Sequence, residues 1–138
     1  MKVVFRPSKA GLGKMFGSAE LPVLEALWEK GALTGREIYE EVRRSKELAY
    51  TTVLTVVGRM VKKGSVKRKR AGGRLIFKAA LQKPEFERHV VSIVVKGIVE
   101  VSPSHAFSAF VDVLSQYDAG KLDEIMKVIE YRRKAEGR

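Results

Sequence analysis

The 138-residue chain contains no cysteine, which excludes a disulfide framework and every thiolate metal site, zinc fingers included. Its two histidines, His89 and His105, stand apart from any carboxylate cluster of ligand spacing, so no metal is expected. No apolar run approaches the roughly eighteen residues of a membrane span. The longest apolar-rich stretch, His89 to Val101, is interrupted by Ser92, Lys96, Gly97 and Glu100. The opening, Met1 to Gly17, lacks the continuous apolar core of a signal peptide. A cytoplasmic protein without membrane association is the expectation. P-loop and nucleophile elbow are both missing. Gly11, Gly13 and Gly17 miss the dinucleotide fingerprint by one residue, and no βαβ unit surrounds them. No enzyme and no cofactor are therefore expected.

Acidic residues are scarce in one part of the chain only. The formal net charge is +11. Residues 1–80 hold 18 Lys and Arg against 7 Asp and Glu, whereas residues 81–138 hold 9 against 9. An even spread would mean only a soluble basic protein; concentration of all the excess in the first part points to a polyanionic partner there. The 45% apolar content is enough for a packed core. Three regions follow: a basic arm over 1–17, a basic binding region over 18–80 and a neutral region over 81–138.

Within the binding region, Ser18 precedes Leu21, Leu24, Leu27 and Trp28 at helical spacing, and Gly31 closes that helix. Leu27 and Trp28 read as core. Thr34 caps a second helix reaching about Arg44, with Glu37 completing a Thr-x-x-Glu box and Ile38 and Val42 on one side. A third helix runs from about Ala49 to Lys63 and stops at Gly64. At about 100° per residue, Val53, Val56, Val57, Met60 and Val61 share a face. Thr51, Thr52, Thr55, Gly58, Arg59 and Lys62 occupy the other, with Lys63 at its margin. That second face has hydroxyls and cations but no carboxylate, which suits phosphates and base edges. Solvated helix faces ordinarily mix both signs of charge. The period then changes to two: Val66, Lys67, Arg68, Lys69 and Arg70 lead into a turn at Ala71, Gly72 and Gly73, and Arg74 to Lys78 return. This is a cationic hairpin, a wing for backbone or minor groove.

The neutral region shows Phe86, Val90, Ile93, Val94 and Gly97 at helical spacing, although the β-branched run Val90 to Val95 also suits a buried strand. A helix is expected. Pro103 opens another, with the stripe Phe107, Phe110, Val111 and Leu114, and Leu122, Ile125, Met126 and Ile129 mark the last. The fold class is thus mainly α with a small β-hairpin wing: a winged helix-turn-helix followed by a helical segment with more apolar surface than three helices readily hide.

The chain resembles the penicillinase-repressor family, whose members include methicillin-resistance and copper-transport repressors. The likeness lies in Glu20 to Trp28 (ELPVLEALW), Thr34 to Ile38 (TGREI), Tyr50 to Gly64 (YTTVLTVVGRMVKKG) and Gly73 to Phe77 (GRLIF). The third stretch is the specific one. The resemblance implies a homodimeric repressor on a near-palindromic stretch of double-stranded DNA. Thr51, Thr52 and Thr55 would meet base edges or phosphates, and Arg59, Lys62 and Lys63 the backbone. Lys67, Arg68 and Arg74 would serve the wing. It further implies a helical dimerisation region built on Val90, Ile93, Val94, Phe107, Phe110, Val111, Leu114, Ile125 and Ile129. Copper-responsive members carry a cysteine-rich motif that this chain lacks. Neither an inducer nor an inactivating protease can be named from the residues. Two alternatives stay open: an architectural winged-helix protein indifferent to sequence, and a regulator gated by a small apolar molecule held near Phe107, Phe110 and Tyr117.

Overall fold

The computed structural model describes Gly17 and residues 19–137; the rest of the basic arm and the Ser18 cap lie outside the described residues. The chain divides into two compact units, with the boundary between Val94 and Val95. The first contains α1 (Glu20–Lys30), β1 (Leu33–Thr34), α2 (Gly35–Val42), α3 (Tyr50–Lys63), β2 (Val66–Ala71), β3 (Arg74–Ala79) and the first half of α4 (Lys83–Val101). The second contains the end of α4, α5 (Pro103–Tyr117) and α6 (Gly120–Ala135). The architecture is the winged helix-turn-helix expected from the sequence.

The core of the first unit forms where the apolar stripes of three short helices meet. Val23, Leu24 and Leu27 from α1, Ile38 and Val42 from α2, and Val53, Val56, Val57 and Met60 from α3 are all buried in one cluster. Burying a side chain of this size stabilises by about 1.5–3 kcal/mol, and α1 and α3 each supply four buried residues, Ala26 of α1 included. Thr34 caps α2 as expected: its Oγ1 accepts from the Glu37 N–H at 3.2 Å. The helix ends at Val42, short of the expected Arg44, because the Ser45 hydroxyl and the Ser45 and Lys46 amides all turn back onto the Val42 carbonyl. Gly64 closes α3 in the left-handed conformation, φ 88°. The Ser65 amide and hydroxyl both then donate to the Met60 carbonyl, at 3.1 and 3.3 Å.

The hairpin turns on Gly72 and Gly73, both at positive φ, the turn that matches the twist of paired strands. Its register sets Val66 opposite Ala79, Arg68 opposite Phe77 and Arg70 opposite Leu75. A third strand, β1, was not foreseen: Leu33 pairs with Phe77 and Thr34 with Ile76, giving the order β1-β3-β2. Two residues are too few to show a period.

The β-branched run of residues 90–95 is helical. The start of α4 closes the first unit, with Phe86 and Val90 each 1% exposed in its core. Trp28 joins them: its ring centroid lies 5.4 Å from that of Phe86, and its Nε1–H donates to the Leu81 carbonyl at 2.9 Å. In the second unit, α5 and α6 pack on each other, yet Ala106 is the single residue there that is buried among those described. No helix among the described residues is long and apolar enough to cross a membrane.

Trp28→Phe keeps the ring contact and strands the Leu81 carbonyl. It is expected to cost about 1–2 kcal/mol, read as a lower urea midpoint with an unchanged slope.

Candidate nucleic-acid interface

Because α3 buries Val53, Val56, Val57 and Met60, its opposite side must face outward. Thr51, Thr52, Thr55, Arg59 and Lys62 are all exposed. No carboxylate interrupts them, and the first turn of α3 has no acidic residue. The structure therefore brings together on one accessible face the residues singled out on that helix. Their chemistry is not uniform. The Thr55 hydroxyl donates to the Thr51 carbonyl at 2.8 Å, so its proton is used and an acceptor and a methyl remain for a partner. Lys63, at the margin, is drawn the other way: its Nζ sits 3.2 Å from Glu20 Oε1, tying the end of α3 to the start of α1.

The wing divides its charges between two faces. Side chains of directly paired strand residues share a side, so Arg68 and Arg70 lie with Phe77 and Leu75. Lys67 lies opposite Lys78, and Lys69 opposite Ile76, on the other side. All four basic residues of β2 are exposed, as is Arg74 beside the tip.

Between α3 and the wing runs an open cleft of about 650 Å³. Arg68, Arg70 and Arg74 line it from the wing, Tyr50, Leu54 and Gly58 from α3, and Thr34, Gly35 and Arg36 from the start of α2, with Leu75 and Phe77 as apolar floor. A Cβ on Gly35 would stand 2.7 Å from Leu54 Cδ2, so this glycine lets α2 begin hard against α3. Arg36 was not anticipated. Its guanidinium lies 5.5 Å from the Tyr39 ring and 5.6 Å from the Tyr50 ring, while Glu40 Oε1 approaches Nη2 at 3.4 Å. The two rings meet edge to face at 5.3 Å. These cation–π and ion-pair contacts place the guanidinium beside the cleft while the Arg36 side chain stays 68% exposed. The signal available in the sequence was the position of Arg36 two residues past the Thr34 cap, in a turn that crosses α3. Arg68, Arg70 and Arg74 make no ion pair with any other described residue.

The residues assigned to pairing between copies divide between the units. Val90 is in the core of the first, and Ile93 and Val94, the last residues of that unit, are half-buried. Phe107, Phe110, Val111 and Ile129 are exposed in the second, at 64, 40, 46 and 47%, and Leu114 and Ile125 are half-buried. No group of three or more His, Cys, Asp or Glu suited to a metal occurs among the described residues.

A model of the family described as penicillinase repressor matches residues 16–130. An uncharacterized 16.5 kDa protein in the ptsI 3′ region of Latilactobacillus sakei is 22% identical over 111 residues, spanning 79% of this chain and 76% of its own length. Among solved structures, the monomeric form of Bacillus licheniformis BlaI in complex with the blaP half-operator is similar at 20% identity and a TM-score of 0.45. That match covers 50% of this chain and 84% of the other. NadR in complex with 4-hydroxyphenylacetate is similar at 17% identity and a TM-score of 0.40, covering 87% of this chain and 80% of the other.

Proposed function

The chain belongs to the penicillinase repressor family, and from that premise we propose that it is a sequence-specific transcriptional repressor acting as a homodimer on a near-palindromic DNA operator. The observation that carries this reading is the outward face of α3, where Thr51, Thr52 and Thr55 alternate with Arg59 and Lys62 without a carboxylate. Hydroxyls there read base edges in the major groove, and the cations hold phosphates on either side. Lys67, Arg68 and Arg74 extend the cationic surface along the wing. Residues 18–80 carry the DNA contacts; from residue 81 onward the chain closes the core with the start of α4 and then offers α5 and α6 to a second copy.

Three features support the pairing of copies. The second unit has 44 residues (95–138), too few to build a self-sufficient core. Its apolar stripe Phe107, Phe110, Val111 on α5 and the residue Ile129 on α6 stay largely uncovered within one chain. Lys and Arg balance Asp and Glu over residues 81–138, 9 against 9, so like charge does not oppose association. Repression then follows from occupancy: a dimer covering two half-sites about one helical turn apart, or a multiple of it, excludes polymerase.

Selection from random duplexes at physiological salt tests the reading directly. A two-fold symmetric motif is expected; salt-sensitive binding without enrichment would favour an architectural protein. Against the selected duplex, Arg59→Ala is expected to weaken binding to all sequences alike and to lower the salt slope by about one. Thr52→Ala should alter base preference instead. An unchanged affinity and slope for Arg59→Ala would refute this orientation of α3. Phe110→Asp should sediment as a monomer while keeping its fold, because the side chain is 40% exposed in the single chain. A dimer persisting in that variant would remove α5 from the interface.

A further inference from the structure

We infer that the basic arm, residues 1–16, follows the duplex flanking the binding motif and adds phosphate contacts, indifferent to sequence, to those of α3 and the wing. The inference rests on the duplex-DNA reading above and goes beyond it, because the family match, residues 16–130, leaves out all but the last residue of the arm.

The arm joins the described residues at one edge of the outward face of α3. The Gly17 carbonyl accepts the Glu20 N–H at 3.2 Å, and a Cβ on Gly17 would stand 3.7 Å from Glu20 Oε1. The same Oε1 lies 3.2 Å from Lys63 Nζ at the end of α3. Gly17 is thus one carboxylate away from Lys63, beside the turn that carries the exposed Arg59 and Lys62. Whatever α3 lies on, the arm starts next to it. The Glu20 carboxylate is already paired, with its side chain 17% exposed, so it does not hold the cations of the arm.

Charge selects the partner. Residues 1–16 contain Lys2, Arg6, Lys9 and Lys14 and no Asp or Glu, so they supply four of the net +11. Glu25 and Glu29 on α1 are exposed, and ion pairs at such sites in water contribute little. A duplex instead presents one phosphate per about 1.7 Å of its axis and releases condensed counterions as each is neutralised. Tethering raises the effective concentration of the arm at those phosphates to about the millimolar range, which offsets the freedom lost in laying it down. Sixteen residues reach at most about 55 Å, more than one helical turn of about 34 Å. Lys14, three residues before Gly17, stays within about 11 Å of the attachment point.

The test compares the full wild-type chain with one carrying Lys2→Gln, Arg6→Gln, Lys9→Gln and Lys14→Gln together. Each is titrated with a duplex recovered by selection, either as the bare motif or with about ten base pairs, one helical turn, added on each side. The wild type is expected to gain at least about fivefold in affinity from the flanks, and the variant to gain nothing. The variant should show a salt slope smaller by about two to four, with unchanged base preference and Tm. Equal slopes, with the wild type binding duplex, would overturn the role of the arm and leave the DNA reading standing. Failure of the wild type to bind any duplex would overturn both. A lower Tm with an unchanged slope would place the arm on the carboxylates of the protein itself, and a shifted base preference would place it against base edges. A smaller slope without any gain from the flanks would confine it to the motif; each of these three results overturns the inference.

Discussion

Everything accessible on the first unit depends on the one-sided burial of α3. Val53, Val56, Val57 and Met60 are each 7% exposed or less, and this ridge fixes the rotation of the helix about its own axis. A rotation of one residue, about 100°, would carry threonines into the core and valines into water. The α1 and α2 stripes act together as the socket for that ridge. The same burial sets the direction of the hairpin, because β2 starts just after the Gly64 close of α3 with Val66 in the core, 1% exposed.

Much of this was legible in the residues. The 3.6-residue period divided α3 into its two faces, the Thr34–Glu37 spacing marked a cap, and paired glycines marked the hairpin turn. What escaped notice depended on contacts between distant segments. β1 exists because Leu33 and Thr34 lie along β3, 42 or more residues away in sequence. The Trp28–Leu81 bond spans 53 residues. The run of four basic residues on β2 looked uniform, although the pairing register assigns Arg68 and Arg70 to one side and Lys67 and Lys69 to the other. Counting back two by two from the glycine turn would have separated them. Arg36 was hidden for a different reason: a cation on the first turn of a short helix looks solvated until Tyr39 and Tyr50 are known to flank it.

The two units also divide the physical chemistry between them. The first gathers the positive charge and a complete core; the second is electrically balanced and keeps its aromatic and aliphatic stripes largely outward. Mixing these properties in one surface would have weakened both, since cations beside an apolar contact must be desolvated at a cost. Separation along the chain avoids that conflict.

Thr34 occupies a position that two elements share. It caps α2 through its side chain and belongs to the strand paired with Ile76 of β3. The hairpin is thereby pinned at mid-length, at the Lys69–Ile76 rung, to the same residue that starts α2, as a lever is pinned at a fulcrum. Bending is then confined to the outer part, from about Lys69 to Arg74, while the inner part moves only with the helices. Changes of length or composition at the tip would alter how far the wing reaches without altering the angle at which α3 is presented, so reach and angle are adjustable one at a time.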